Sequence, residues 1–110
     1  MASIKEILTK KDLDEMFLEE KALVLKNSTY CSISKNAIRE FEKFVETIKD
    51  TFKVYIVDVN KNRDFSKEIA ERAQIKHESP QIILLEKGKV KWNASHWNIT
   101  FDACKKATEN

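Results

Sequence analysis

The sequence predicts an α/β domain in which a four-stranded mixed sheet is covered by helices on both faces. Amphipathic helical patterns alternate with short apolar runs along most of the chain, an alternation typical of β-α-β units. Two further runs then follow each other across a short turn, as in an antiparallel hairpin. The 110 residues can enclose one core, and no linker or repeat divides them, so residues 1–110 are predicted to form one domain.

The first half of the chain contains two helical patterns and two strand-like runs. Thr9 can cap a helix that continues to about residue 20, and the wholly apolar run 22–25 is typical of a buried central strand. The strongest helical pattern lies at 31–49, where apolar residues recur at steps of three and four. The run 52–59 is rich in β-branched and aromatic residues, which favours a second central strand.

The second half predicts a helix at 64–73 and then a hairpin. Pro80 is expected to start or precede a strand, because proline is poorly tolerated inside a ladder. Strands at 82–85 and 90–92 flank a turn in which Gly88 can supply a positive φ.

Asn98 or Thr100 can cap a last helix that runs to about Thr108. The predicted order of elements is therefore α-β-α-β-α-β-β-α.

Composition argues against several classes of function. The net charge is +2, and the charged residues are interspersed without a basic block, so no nucleic-acid partner is expected. No apolar run approaches the ~20 residues that span a bilayer, and the first residues lack the apolar stretch of a signal peptide. We therefore expect a cytoplasmic protein with no membrane partner. Because that compartment is reducing, Cys31 and Cys104 are expected to be free thiols.

Cys31 stands where the first apolar run gives way, through a polar segment, to the longest helical pattern. The unpaired N–H groups of a helix's first turn favour a thiolate, the form that attacks disulfides. Three residues further on the chain has Ser34 rather than a second cysteine. The sequence thus keeps the nucleophile of a thiol–disulfide exchanger without the thiol that would resolve a mixed disulfide. We expect Cys31 to act as a monothiol, with Ser34 hydrogen-bonded either to its thiolate or to backbone.

Two histidines and a second cysteine are further candidates. His77 and His96 could favour the thiolate electrostatically, and a structural hydrogen bond is the alternative for each. Cys104 lies near the apolar side of the last helical pattern and is expected to pack in the core, with a resolving or regulatory role as the alternative. Because no two of the cysteines and histidines are close in sequence, a zinc site is not expected.

The order of elements resembles that of thioredoxin-like domains. Such proteins hold a nucleophile at the first β-α junction and a cis-proline before the hairpin, and the two meet in space. Cys31 and Pro80 occupy the corresponding positions. The resemblance therefore implies a cis Ser79–Pro80 bond and a Ser79 backbone that can pair with an incoming substrate strand.

Several blocks also resemble a narrower family, the monothiol bacilliredoxins or YtxJ-like proteins, over most of the chain. The blocks are 28–34 (Ser-Thr-Tyr-Cys-Ser-Ile-Ser), Arg63 and Ser66 ahead of 69–71 (Ile-Ala-Glu), 77–81 (His-Glu-Ser-Pro-Gln), and 92–96 (Trp-Asn-Ala-Ser-His) with Ile99 and Thr100. This resemblance implies an enzyme that removes bacillithiol, a cysteine-glucosamine-malate thiol, from client proteins that have formed mixed disulfides with it.

In that family context Cys31 would be the attacking residue. The substrate-binding surface would comprise Thr29, Tyr30, Ser32, Ser79 and Pro80. The family commonly has proline directly after the cysteine, whereas this chain has Ser32, which restores an N–H donor and loosens the turn. A lower thiol pKa and a changed substrate preference are both open consequences.

The resemblance implies no bound cofactor, since bacillithiol is the exchanging thiol. Without a thiol at position 34, the protein needs regeneration by a free small thiol or by a second redox protein. Bacillithiol carries carboxylates, so we hypothesise that Lys26, Lys35 or Arg63 near the site favours it.

Two other functions stay open from the sequence. One is a non-catalytic binding module that holds a partner strand in a groove beside Pro80, with Cys31 inert. The other is a peroxide-reducing monothiol, although the chain has no Pro/Thr/Arg arrangement around Cys31 of the kind that activates a peroxide. The reactivity of Cys31 and its choice between disulfide and peroxide would separate the three.

Overall fold

The computed structural model describes residues 3–29 and 32–109. Its strands form one five-stranded sheet in the order β1-β3-β2-β4-β5, in which β1 and β2 are parallel to β3 and the other pairs are antiparallel. The predicted mixed sheet is thus confirmed. In chain order the elements are β1 (Ile4–Glu6), α1 (Lys10–Leu18), β2 (Lys21–Asn27), α2 (Ser32–Val45), β3 (Lys53–Asp58), α3 (Arg63–Ala73), β4 (Gln81–Glu86), β5 (Lys89–Ser95), a 3-10 turn (His96–Asn98) and α4 (Phe101–Thr108).

Both faces of the sheet are covered, as the apolar run at the centre of β2 predicted. Successive residues of a strand point to opposite faces. Leu23 and Leu25 pack in one cluster with Phe41 of α2, while Val24 packs in a second cluster with Ile69 of α3. The β2 strand is therefore buried on both faces. The segment between β2 and α2 starts from the end of this buried strand.

The prediction of four strands is wrong by one, because β1 was not recognised. All three residues of β1 are exposed, so the segment has no apolar alternation to mark it. Its position depends on backbone pairing of Ile4–Glu6 with Val54, Tyr55 and Ile56 of β3. Backbone pairing at a sheet edge leaves no pattern in the side chains.

The α2 helix ends at Val45, four residues before the predicted end. The amide of Thr47 donates to the carbonyl of Phe44 at 2.9 Å and that of Ile48 to Val45 at 3.3 Å. These bonds span three residues and tighten the chain into a turn. Ile48 is nevertheless buried, which explains why the apolar spacing continued past the helix.

The predicted caps and turn are present. Thr9 caps α1 in a capping box with Asp12, and Thr100 caps α4 by accepting a hydrogen bond from the amide of Ala103. Gly88 has φ 80° and Lys87 has φ 51°, the two positive values that a type I′ hairpin turn requires.

Candidate functional site

The junction between β2 and α2 is fixed by two serines. Ser34, in the first turn of α2, is 1% exposed and its Oγ accepts a hydrogen bond from the amide of Ser28 at 3.3 Å. Ser28 Oγ in turn donates to Asn60 Oδ1 at 3.0 Å. Because Ser34 acts there as an acceptor, its hydroxyl keeps its own proton as a donor. Ser28 is therefore held by hydrogen bonds to Ser34 of α2 and to Asn60, which follows β3.

Cys31 and Tyr30 lie outside the described residues, so the roles predicted for them stay predictions. Of the other predicted substrate-binding residues, Thr29 and Ser32 are exposed on either side of that gap.

Pro80 lies directly before β4, at the same end of the sheet as the last residue of β2. The Ser79–Pro80 peptide bond is cis, as predicted, and Pro80 is buried directly before β4. Lys26 pairs with Gln81 across β2 and β4, which sets Pro80 beside the point where β2 gives way to the junction. Ser79 is half-buried, and its Oγ makes no hydrogen bond to another described residue.

His96 approaches Pro80 through the backbone. Its amide donates to the Pro80 carbonyl at 3.0 Å, and its φ of 57° lies in the left-handed region. The residue is exposed, as is the neighbouring Trp97. The structure thus brings His96 to the proline, while its predicted influence on Cys31 stays untested.

His77 contacts a buried lysine. Its Nδ1 lies 2.7 Å from Lys26 Nζ and 3.4 Å from Ser66 Oγ. Lys26 is 0% exposed, and its Nζ also donates to Gln81 Oε1 at 3.1 Å. The hypothesis of a substrate-facing cation therefore does not hold for Lys26, whereas Lys35 and Arg63 are exposed.

Sequence reasoning missed this internal role of Lys26, although a signal was present. Lys26 follows Val24 by two residues, so it points to the same face of the sheet. A lysine in that register on a strand covered on both faces must be buried.

Burial and charge shift the pKa values of this pair. Desolvation lowers the pKa of the Lys26 ammonium to about 8, against the opposing effect of the Glu78 carboxylate. Partial burial, and then the positive charge of Lys26, lower the pKa of His77 below its usual value, while Glu78 raises it. An ammonium has only donors, so the Nδ1 that faces it is an acceptor and we assign the proton of the neutral ring to Nε2.

Cys104 is 0% exposed and packs in the same core cluster as Phe41 and Ile99. Burial raises the pKa of its thiol to about 12. The predicted packing position is thus confirmed, and at neutral pH this cysteine is a thiol rather than a thiolate.

Neither a metal-binding cluster nor a membrane-spanning helix occurs in the described part of the chain. Residues 3–29 and 32–109 contain no group of three or more histidine, cysteine, aspartate and glutamate side chains that could hold a metal ion. Within the same residues, every helix is too short or too polar to cross a bilayer.

Comparison with known proteins finds solved structures with the same fold. A solved structure described as "a putative oxidoreductase with a thioredoxin fold" is 31% identical, covers 96% of this chain and 94% of its own, and superposes with a TM-score of 0.87. A mutant thioredoxin from Halobacterium salinarum NRC-1 is 17% identical (97% and 88% covered, TM-score 0.77), and oxidised thioredoxin from Plasmodium falciparum is 19% identical (94% and 93%, 0.71). The latter two show the fold alone. The chain is therefore a thioredoxin-fold protein. Residues 5–104 match the family model of the monothiol bacilliredoxin BrxC, and the chain belongs to that family.

The burial of Lys26 has a measurable effect on stability. Raising the pH from about 8 to about 10.5 should increase the free energy of unfolding by up to roughly 3 kcal/mol through this group. Between those values the unfolded chain binds the proton that the folded chain releases, so removing protons favours the folded state. Urea unfolding across this range, compared between wild type and Lys26→Met, isolates the effect.

The comparison between variants is needed because two other groups act in the opposite direction. Burial raises the pKa values of Tyr55 and Cys104 to about 12, so both reduce stability as the pH rises towards that value, equally in the two proteins. Parallel stability curves for wild type and Lys26→Met would contradict the prediction.

Proposed function

We propose that this protein is a monothiol thiol–disulfide oxidoreductase that removes bacillithiol from protein mixed disulfides, with Cys31 as the nucleophile. The observation that carries the proposal is the match of residues 5–104 to the monothiol bacilliredoxins. The buried Ser34, at the position where a dithiol enzyme has its resolving cysteine, supports the monothiol assignment.

The reaction is an exchange that conserves electrons. The Cys31 thiolate attacks the bacillithiol sulfur of the mixed disulfide, a new disulfide forms between them, and the client's cysteine leaves as a thiolate that takes up a proton. A second exchange, with a free small thiol or with another redox protein, then regenerates Cys31. We place this reaction in the cytoplasm, where reducing thiols are abundant.

A cleft near the junction suits an anionic small thiol. It has a volume of about 240 Å³ and contains two cationic side chains, Arg63 and Lys67. Asn60, which accepts the hydrogen bond from Ser28, lines the same cleft and so connects it to the segment leading to Cys31. The remaining lining residues are Val59, Ser66 and His77. The carboxylates of bacillithiol would be attracted to this charge.

The experiment is a comparison of two donors. Reduced protein is mixed with one model client carrying either bacillithiol or glutathione, and the rate of mass gain on the protein is recorded. We expect faster transfer of bacillithiol, with Arg63→Ala reducing the preference and Arg39→Ala, an exposed arginine of α2, leaving it unchanged. Equal rates for the two donors would show a general thiol exchanger.

The runner-up function is a binding module that uses the groove beside Pro80. Transfer from neither donor would favour it, because an inert Cys31 cannot form the mixed disulfide. Transfer of oxidising equivalents from peroxide but not from disulfides would favour a peroxide-reducing protein instead.

The monothiol assignment makes a separate prediction. In Ser34→Cys, a second thiol three residues after Cys31 should attack the mixed disulfide, release bacillithiol and leave an intramolecular disulfide. Intact mass after one turnover would then show the loss of two hydrogens in place of the added bacillithiol. Ser34→Ala is the matched control and should retain bacillithiol as the wild type does. Retention of bacillithiol by Ser34→Cys would contradict the proposed placement of position 34 beside the nucleophile.

A further inference from the structure

Lys26 is a buried cation whose two hydrogen-bond acceptors lie close together in sequence. An ammonium removed from water is costly unless its donors find acceptors. Lys26 is 0% exposed, and its two acceptors are Gln81 Oε1 at 3.1 Å and His77 Nδ1 at 2.7 Å. His77 belongs to the loop of residues 76–80, which contains the cis-proline, and Gln81 directly follows this loop.

Gln81 extends the contact from Lys26 to the rest of this loop. It is 1% exposed; its Oε1 also accepts from the amide of Glu78 at 3.3 Å, and its Nε2 donates to the carbonyl of Lys76 at 3.1 Å. The Glu78 carboxylate accepts from Ser95 Oγ at 2.7 Å. Side-chain hydrogen bonds therefore hold the loop to the sheet at three consecutive residues, 76, 77 and 78. Lys26 bonds His77 directly, and it also bonds Gln81, the residue that holds positions 76 and 78.

We propose that Lys26 is a positioning residue, which holds the loop of residues 76–80 in the form that receives the polypeptide part of a mixed disulfide. The proposal rests on the thiol exchange proposed for Cys31, and it assigns Lys26 no contact with substrate. The backbone beside Pro80 is the edge along which a client strand would pair. A loop that moves there would misplace the client disulfide relative to the nucleophile.

The charges around the loop make the hydrogen bond between Lys26 and His77 sensitive to acid. His77 faces Lys26 from β2 and Lys67 from α3, with Glu78 as the neighbouring carboxylate, while Lys76 and His96 face Glu78 in turn. When His77 is protonated, its Nδ1 becomes a donor that points at the Lys26 ammonium. The hydrogen bond between Lys26 and His77 is then replaced by a repulsion between two cations, and the loop loses one of the contacts that hold it to the sheet.

The test uses two disulfides that differ in their need for the loop. One is a bacillithiolated model client, and the other is the symmetric disulfide of bacillithiol, which offers the same thiol to the cleft but has no polypeptide to pair. Lys26→Met should slow transfer from the client by about tenfold, the effect of one lost hydrogen bond to a charged group, and leave the small disulfide almost unaffected. Lys21→Met, at the other end of the same strand, is the matched control and should change neither rate. Methionine fills a similar volume, so the core is expected to tolerate it.

A pH profile of the wild type keeps the proposal falsifiable if Lys26→Met fails to fold. Between about pH 7 and about pH 5, the ratio of the client rate to the small-disulfide rate should fall as His77 is protonated. Taking the ratio cancels the titration of Cys31 itself. His77→Gln keeps an acceptor for Lys26 but does not titrate, so its ratio should stay constant.

Hydrogen exchange separates failure of this proposal from failure of the proposed function. Lys26→Met should raise the exchange rate of the amides of residues 76–79, Glu78 above all, whatever reaction the protein performs. If the wild type takes no bacillithiol, the proposed function fails, and unchanged exchange in Lys26→Met would overturn the positioning role independently. Equal slowing of both disulfides would also overturn it, because the effect would then act on the thiol and not on the loop.

Discussion

Replacing Cys31 with serine is expected to slow thiol–disulfide exchange by more than about a thousandfold, because it removes the nucleophile on which the reaction depends. The other cysteine cannot replace it. Cys104 is 0% exposed, and burial raises the pKa of its thiol to about 12, so it offers neither access nor thiolate at neutral pH. The rate of reaction with a small aromatic disulfide measures the effect directly.

Cys104→Ala is the control for this substitution. It keeps a small apolar side chain in the core and should retain the wild-type exchange rate. Thiol counting gives a second check: native wild type should show one fast thiol, and the unfolded chain two. Residual exchange in Cys31→Ser that disappears when Cys104 is also replaced would contradict the assignment of Cys104 to packing.

Phe41→Ala should lower the free energy of unfolding by about 3–5 kcal/mol, the usual cost of emptying a buried phenylalanine site. Phe41 of α2 is 0% exposed and belongs to the same core cluster as Leu23 and Leu25 of the central strand. The same helix carries Ser34 in its first turn, so this packing also holds the junction in place. Urea unfolding monitored by circular dichroism measures the loss.

Leu18→Ala is the control for Phe41→Ala, because Leu18 is 84% exposed and its truncation should change stability by less than about 0.5 kcal/mol. A loss below about 1 kcal/mol for Phe41→Ala would mean that α2 is not packed as described.

The elements that sequence predicts well are those whose burial leaves a pattern. The apolar run in β2 and the helical spacing in α2 both reflect a covered sheet, and both elements are present. The β1 strand was missed because it is exposed and depends on backbone pairing alone. The end of α2 was misplaced because Ile48 stays buried in the turn after the helix, so apolar spacing could not show where the helical hydrogen bonds stop.

The residues of the site also differ in how far their positions could be predicted from the sequence. The sequence predicted that Pro80 starts or precedes a strand, and the cis geometry of its peptide bond followed from the resemblance to thioredoxin-like domains. Only the structure shows that this strand, β4, pairs with β2. The contacts around Lys26 were beyond prediction, since they join residues 51 and 55 positions apart in sequence. The register of Lys26 in β2 could have indicated its burial, but only the structure shows that His77 and Gln81 are its partners.

The intact masses of both partners in a single turnover show whether Cys31 takes bacillithiol from a client protein. Equimolar reduced protein and bacillithiolated client are mixed, and samples are quenched in acid over time. We predict that the client loses one bacillithiol while the protein gains one, that peptide mapping locates it on Cys31, and that Cys31→Ala gains none. A client that keeps its bacillithiol in the presence of folded, reduced wild type would contradict the account.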